Sequence, residues 1–378
     1  MTMEHILIVG AGIAAVTAAD ALRRAGHTGR ITVVGDEPHA PYSRPPLSKG
    51  VLKKTETLDS VTLPALPADV ELLRGTPAVA LDRDARTVRL ADGQSLPYDG
   101  LVIATGARAR TLRADGAGET VLRGIDDALA LEARWAHARS VLVIGGGFLG
   151  MEVASTARHL GLDVTVIDLV PHLVRQFGTY LTERMTAAAE ASGVSLVVAP
   201  EGIELIGDDV VQGVRTVGGA TRAADVVVSA VGDLPNVEWL ASAGLADPRG
   251  LLVDSRCRIA PDIVAIGDVA RTGERRTPHW GAAIDQARVA AVALLHGDEA
   301  AEYVPAPYFW TEQWGLDLKI CGEIPIDVEP EVIAGSWHEN SLLLQYSVDG
   351  VPVAAASVNR RFPITKLRAL AQPALVAS

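Results

Sequence analysis

Cysteine is nearly absent from this chain. The two present in 378 residues, Cys257 and Cys321, lie in no CxxC and no Cys/His cluster. That excludes a disulfide framework and a thiol-built zinc site. The nine histidines show no HExxH-like spacing, so no metal is expected. Positive charge is also short: 34 Lys and Arg against 46 Asp and Glu leave a net charge of −12. Such a balance argues against nucleic acid and anionic membranes as partners. No apolar run reaches the roughly 18–20 residues of a membrane span. The first apolar strand begins almost at once, leaving no room for a signal peptide, and a cytoplasmic address is expected.

What is present is a duplicated pattern. His5-Ile-Leu-Ile-Val-Gly10-Ala-Gly12-Ile-Ala14-Ala15 leads into a helical stretch and then Ile31-Thr-Val-Val-Gly-Asp36-Glu37. Ser140-Val-Leu-Val-Ile-Gly145-Gly146-Gly147-Phe148-Leu149-Gly150 leads into another, and then Val164-Thr-Val-Ile-Asp168. Each reads as strand, glycine turn, helix, second strand and terminal acid. The glycines let backbone N–H groups approach a pyrophosphate at a helix N-terminus, and the acid meets a ribose hydroxyl. Two such fingerprints predict two bound dinucleotides, and most simply a hydride passed between them.

The rest of the chain organises around these. Leu101-Val-Ile-Ala104-Thr105-Gly106 and Val226-Val-Val-Ser-Ala-Val-Gly232 are apolar strands running into glycine turns, while segment 111–127 reads as a linker. A helix is expected from Gly281 to Leu295, with short alternating strands after Ala300. The expected fold class is α/β, with two Rossmann-like three-layer dinucleotide-binding domains and a small α+β domain at the C-terminal end.

Further segments carry a family resemblance. Pro41-Tyr42-Ser43-Arg44-Pro45-Pro46-Leu47-Ser48-Lys49 is similar to the PYxRPPLSK stretch of FAD-dependent ferredoxin reductases of the putidaredoxin and biphenyl-dioxygenase reductase type. Leu122-Arg123-Gly-Ile-Asp126-Asp127-Ala128 resembles their LRTxxDA segment, and Pro307-Tyr-Phe-Trp310-Thr311-Glu312-Gln313 their PxFWSDQ segment. Gly232-Asp-Leu-Pro235-Asn236 resembles their GxxPN motif and Gly267-Asp268 their GD motif. The resemblance implies an FAD domain over 1–110 and 234–300, interrupted by an NAD(H) domain over 111–233, with 301–378 as a shortened interface domain.

Carried over residue by residue, it implies FAD bound by Gly10, Gly12, Ala14, Asp36 or Glu37, Arg44, Lys49, Ala78 through its backbone, Thr105, Gly106, Arg123, Asp268 and Trp280. NADH falls to Gly145, Gly147, Phe148, Leu149, Gly150, Glu152, Asp168 and Gly232. Lys49 and Glu152 are the expected catalytic pair. The lysine stabilises negative charge on the reduced flavin, and the glutamate meets the nicotinamide carboxamide. Asp168 favours NADH over NADPH, since a carboxylate repels a 2′-phosphate and no arginine follows at once. The implied activity is an NADH:ferredoxin reductase passing single electrons to a [2Fe–2S] ferredoxin of a P450 or dioxygenase, working as a monomer or weak homodimer. Two other readings share the architecture: a flavin oxidase or reductase acting on O₂, a quinone or a small organic molecule, and an NADH-responsive redox sensor. Docking an acidic ferredoxin needs a local basic patch, for which Lys53-Lys54, Arg108-Arg110-Arg113, Arg275-Arg276 and Arg360-Arg361 are candidates.

Overall fold

In the computed structural model, which describes residues 3–372, the strand His5–Val9 buries both of its faces. Ile6 and Ile8 enter one apolar cluster, Leu7 and Val9 another. A strand apolar at every position has to lie inside a parallel sheet with cover on both sides. The described residues form two compact units. The first comprises residues 3–43, Asp59–Arg108 and Asp233–Pro307, and the second Arg44–Leu58, Ala109–Gly232 and residues 308–372.

The first unit is built on a six-stranded sheet in the order Arg258–Ala260, Ile263–Ala265, Gly100–Ile103, His5–Val9, Arg30–Val34, Glu71–Leu73. All neighbours are parallel except the antiparallel edge Arg258–Ala260. Helices Ile13–Arg24 and Trp280–His296 cover one face through Ala14, Ala15, Ala18, Ala283, Ala287 and Ala290. Small side chains at these positions let helix and sheet approach closely, and Ala15, where a third fingerprint glycine is usual, is fully buried. The antiparallel strands Ala78–Asp82, Thr87–Leu90 and Ser95–Pro97 add Leu81, Val88 and Leu96 to the cluster on the other face. Strand Ile263–Ala265 pairs with Gly100–Ile103 although the fingerprint of the second unit lies between them in sequence. The first unit is therefore interrupted in sequence.

The second unit holds a four-stranded parallel sheet, ordered Ser195–Val198, Asp163–Asp168, Ser140–Ile144, Val226–Ser229. Leu142 and Ile144 pack with Leu205, Val211 and Val214 from the region of a three-stranded antiparallel sheet. The same unit contains a five-stranded antiparallel sheet, ordered Tyr308–Gln313, Leu316–Gly322, Val351–Val358, Ser341–Val348, Glu331–Ser336. Helix Ile364–Leu370 backs that sheet, burying Leu367 against Cys321, Leu343 and Ala355. Segment 111–127 is pinned rather than loose: Arg113 donates to the main-chain carbonyls of Ala117, Gly207 and Asp208. The α/β class with two Rossmann-type sheets is thus what the chain builds. Among the described residues, no helix is long and apolar enough to cross a membrane.

Candidate functional site

Both glycine turns have the geometry the fingerprints demand. Gly10 has φ +111°, and a Cβ there would lie 2.1 Å from the Ala104 carbonyl oxygen. Gly145 repeats this at φ +105°, 2.3 Å from the Ala230 carbonyl oxygen. Only glycine fits such a turn. Helix Ile13–Arg24 starts at Gly12 and helix Phe148–His159 at Gly147, and neither has a side chain capping its first turn. No atom lies within 4 Å of where a Gly12 side chain would stand. Each helix therefore offers first-turn N–H groups, and the positive end of its dipole, to an anion such as a pyrophosphate. These two uncapped turns fit FAD and NADH.

Around the first turn, Asp36 stands exposed just past strand Arg30–Val34, while Glu37 accepts the Tyr42 hydroxyl hydrogen. Ala14 opens the helix, and Ala78 begins an antiparallel strand. Thr105 and Gly106 are tied to Asn236: the Thr105 hydroxyl donates to the Asn236 carbonyl at 2.9 Å, and the Asn236 side-chain amide donates back to the Thr105 carbonyl at 2.9 Å. Asp268 lies half-buried in the short turn Gly267–Val269, and Trp280 is the half-buried first residue of helix Trp280–His296.

In the second unit, Arg44 donates to the Arg123 carbonyl at 2.8 Å, bringing two expected FAD residues together. Asp127 in turn accepts the N–H groups of Arg123 and Gly124 at 2.9 and 2.8 Å, capping helix Ile125–Trp135. Lys49 and Glu152, far apart in sequence, form a buried ion pair at 2.7 Å. Glu152 Oε2 also accepts the Ser48 hydroxyl at 2.5 Å, and its Oε1 accepts that of Thr311 at 2.6 Å. Lys49 Nζ further donates to the Pro45 carbonyl at 3.2 Å. A carboxylate offers about four acceptor positions, so one remains for a ligand N–H.

Asp168 ends strand Asp163–Asp168 and closes the second turn upon itself. Its carboxylate accepts the Gly146 N–H and the Leu169 N–H, each at 2.6 Å. Phe148 sits in an aromatic cluster with Phe177 and Phe309, centroids 5.0 and 4.9 Å away, beside the half-buried Leu149 and the buried Gly150. Gly232 is exposed and its carbonyl accepts the Arg110 N–H at 3.0 Å.

Sequence reasoning did not assign Ser48 or Thr311 to Glu152, nor did it single out Phe177, and it weighed His172 only as a weak candidate for receiving a 2′-phosphate. Ser48 and Thr311 fall inside the motifs quoted above, which is the only signal that could have found them. The His172 ring packs against Gly146, and burial pushes its imidazole below the ordinary 6.5. The unfolded chain then takes up a proton near pH 6.5 that the folded protein resists. His172 consequently supports full stability above that pH, and the support is lost as pH falls through the lower folded value. His172→Gln should reduce the acid-side loss of thermal stability without abolishing it, since half-buried His5 and buried His27 are shifted the same way. An unchanged pH profile of the unfolding temperature would assign the loss to other groups.

Much of the expected basic patch is spoken for. Lys54 pairs with Glu132 at 2.8 Å, Arg108 with Glu238 at 2.6 Å and Arg276 with Asp233 at 2.6 Å, while Arg113 serves carbonyls. Lys53 instead lines a crevice of about 650 Å³ in the second unit, together with Arg158, His159, Trp314 and the acids Glu312 and Asp317. The cysteines are inert, burial pushing the Cys257 thiol up to about 12 and that of Cys321 up to about 11. No group of three or more His, Cys, Asp or Glu able to hold a metal occurs among the described residues.

Residues 4–287 match the pyridine nucleotide-disulphide oxidoreductase family. The chain is similar to rhodocoxin reductase of Rhodococcus erythropolis, at 38% identity across 88% of this chain and 81% of that protein. It is also similar to the ferredoxin reductase component of chlorobenzene dioxygenase from Cupriavidus sp. (strain PS12), at 36% identity across 99% of this chain and 95% of that protein. Among solved structures, the covalent putidaredoxin reductase–putidaredoxin complex matches with TM-score 0.85 and 29% identity, covering 97% of this chain and 93% of that one. The chain belongs to the pyridine nucleotide-disulphide oxidoreductase family, on the branch of its ferredoxin reductases.

Proposed function

We propose that this protein is an FAD-dependent NADH:ferredoxin reductase delivering single electrons to a ferredoxin that serves a P450 or a dioxygenase. The observation that carries the reading is the pair of uncapped glycine-turn helix N-termini, one on each parallel sheet. Bound FAD accepts a hydride from NADH and releases electrons one at a time. Residues 1–110 and 234–300 serve as the FAD domain, with Gly10, Gly12 and Ala14 on the pyrophosphate and Asp36 on the ribose. Arg44, Ala78, Thr105, Gly106, Arg123, Asp268 and Trp280 line FAD further along. Residues 111–233 serve NADH, through Gly145, Gly147, Phe148, Leu149, Gly150, Asp168 and Gly232.

The protein's own part in hydride transfer is placement and charge. Lys49 supplies a fixed positive charge where negative charge develops, and Glu152 holds that ammonium while keeping an acceptor position for the carboxamide. Buried, high-pKa thiols leave no dithiol relay, so the electrons exit to an external acceptor. An acidic [2Fe–2S] partner is docked by the region 301–378; the crevice there sets Lys53, Arg158 and His159 beside the acids Glu312 and Asp317, so it is of mixed charge and is not itself a basic patch. We place the protein in the cytoplasm, as a monomer or weak homodimer.

Steady-state NADH oxidation by the FAD-loaded protein tests this, comparing oxygen alone with a [2Fe–2S] ferredoxin plus cytochrome c. A large ferredoxin-dependent gain is expected. Brisk oxygen consumption without that gain would replace the reading with direct reduction of O₂ or a small molecule. Slow turnover with every acceptor would point to redox sensing.

A further inference from the structure

The hydrogen-bond route to one oxygen of Glu152 has a direction. The Trp314 indole N–H is a donor only. It bonds Gln313 Oε1 at 3.0 Å, which turns the other end of that amide, Nε2, onto Thr311 Oγ1 at 3.0 Å. Having accepted this bond, the Thr311 hydroxyl aims its own hydrogen at Glu152 Oε1, 2.6 Å away. The chain cannot run backwards, because the indole accepts nothing. Thr311, Gln313 and Glu152 are all buried, so the two inner bonds of the chain are shielded from water, while the half-buried Trp314 stands at its outer end.

The backbone of Trp314 is itself unusual. It has φ +56°, followed by Gly315 at φ +75°, in the two-residue turn joining strands Tyr308–Gln313 and Leu316–Gly322. Such turns take Asn or Asp at the first position, and a bulky residue in left-handed backbone is disfavoured. Strain of this kind persists where the surroundings hold it for a purpose. Here the Trp314 backbone N–H is anchored on Ser155 Oγ at 2.9 Å, one turn of helix from Glu152.

We propose that Trp314, acting through Gln313 and Thr311, is a positioning residue for the Glu152–Lys49 pair. Its indole polarises a one-way relay that fixes the orientation of the Glu152 carboxylate, leaving Oε2 to Ser48 and Lys49. The inference rests on the reading of that pair as the hydride-transfer machinery. It makes the strand Tyr308–Gln313 part of the catalytic apparatus without touching the reacting atoms.

The test uses the FAD-loaded protein with Thr311→Val, Thr311→Ser and Trp314→Phe, mixed rapidly with NADH in the absence of oxygen. Thr311→Val should lower the limiting rate of flavin reduction by about tenfold or more, the scale of a misplaced catalytic group, with NADH affinity little changed. It should also shift the flavin midpoint potential. Thr311→Ser, which keeps the hydroxyl, should restore both, and Trp314→Phe should move both in the same direction by a smaller amount. Wild-type rates and potentials in Thr311→Val and Trp314→Phe would overturn the proposal. So would Thr311→Ser behaving like the valine variant, because packing would then be the cause. If NADH fails to reduce even the wild-type flavin, the functional reading falls, and the relay is decided separately by exchange of the Trp314 indole proton. Protection that drops about tenfold in Gln313→Leu supports the relay, and an unprotected indole proton in the wild type overturns it.

Discussion

Replacing Lys49 with alanine should slow reduction of the flavin by NADH by about 100-fold while FAD remains bound, the cost of losing one aimed charge in a water-poor site. Lys49 follows the short helix Pro45–Ser48, and its ammonium is pinned between Glu152 Oε2 and the Pro45 carbonyl. The side chains of the pair are 13% and 8% exposed, so solvent screens the interaction little. Alanine at 49 also strands a buried carboxylate, which costs about 3–5 kcal/mol when one partner of such a pair is removed. The two consequences separate in the double variant Lys49→Ala/Glu152→Gln, which should recover much of the lost stability but none of the rate. Rapid-mixing kinetics and the unfolding temperature check both. Wild-type reduction kinetics in Lys49→Ala would remove Lys49 from the hydride step.

The second large effect concerns coenzyme choice. Asp168→Ala should cut the preference for NADH over NADPH in kcat/KM by about 10–100-fold, because a hydrogen bond to a charged group contributes about 1.5–3 kcal/mol. The structure adds a consequence that a ribose contact alone does not carry. Asp168 already accepts the Gly146 and Leu169 N–H groups, so alanine also loosens the turn on which the NADH pyrophosphate is proposed to lie. Affinity for both coenzymes should therefore fall, NADH more than NADPH. Asp168→Asn retains a carbonyl acceptor and removes the charge, and should narrow the preference with less loss of overall affinity. Steady-state kinetics with both coenzymes checks this, and an unchanged NADH:NADPH ratio in both variants would show that another residue meets the ribose.

The sequence was most legible where its information is contiguous. The strand–turn–helix at His5 to Arg24 and that at Ser140 to His159 were readable because each is encoded within a short run of residues. The surroundings of the basic pairs were illegible for the opposite reason. Lys54, Arg108 and Arg276 look free along the chain, yet they meet Glu132, Glu238 and Asp233, which are distant in sequence. Likewise the two acids Asp36 and Glu37 are equivalent as letters, and only the Tyr42 hydroxyl distinguishes them.

By itself the sequence determined the fold class, the two glycine turns, the acids at or just past the ends of their second strands and the family. These follow from local spacing and from φ values that only glycine accommodates cheaply. Only the tertiary structure decided what surrounds Glu152. Its partners Ser48 and Thr311 lie 104 and 159 positions away, and the orientation of Gln313 between Thr311 and Trp314 follows from contacts, not from periodicity. A side chain's hydrogen-bond partners depend on which segments the packing of sheets and helices brings together, and no local pattern records that.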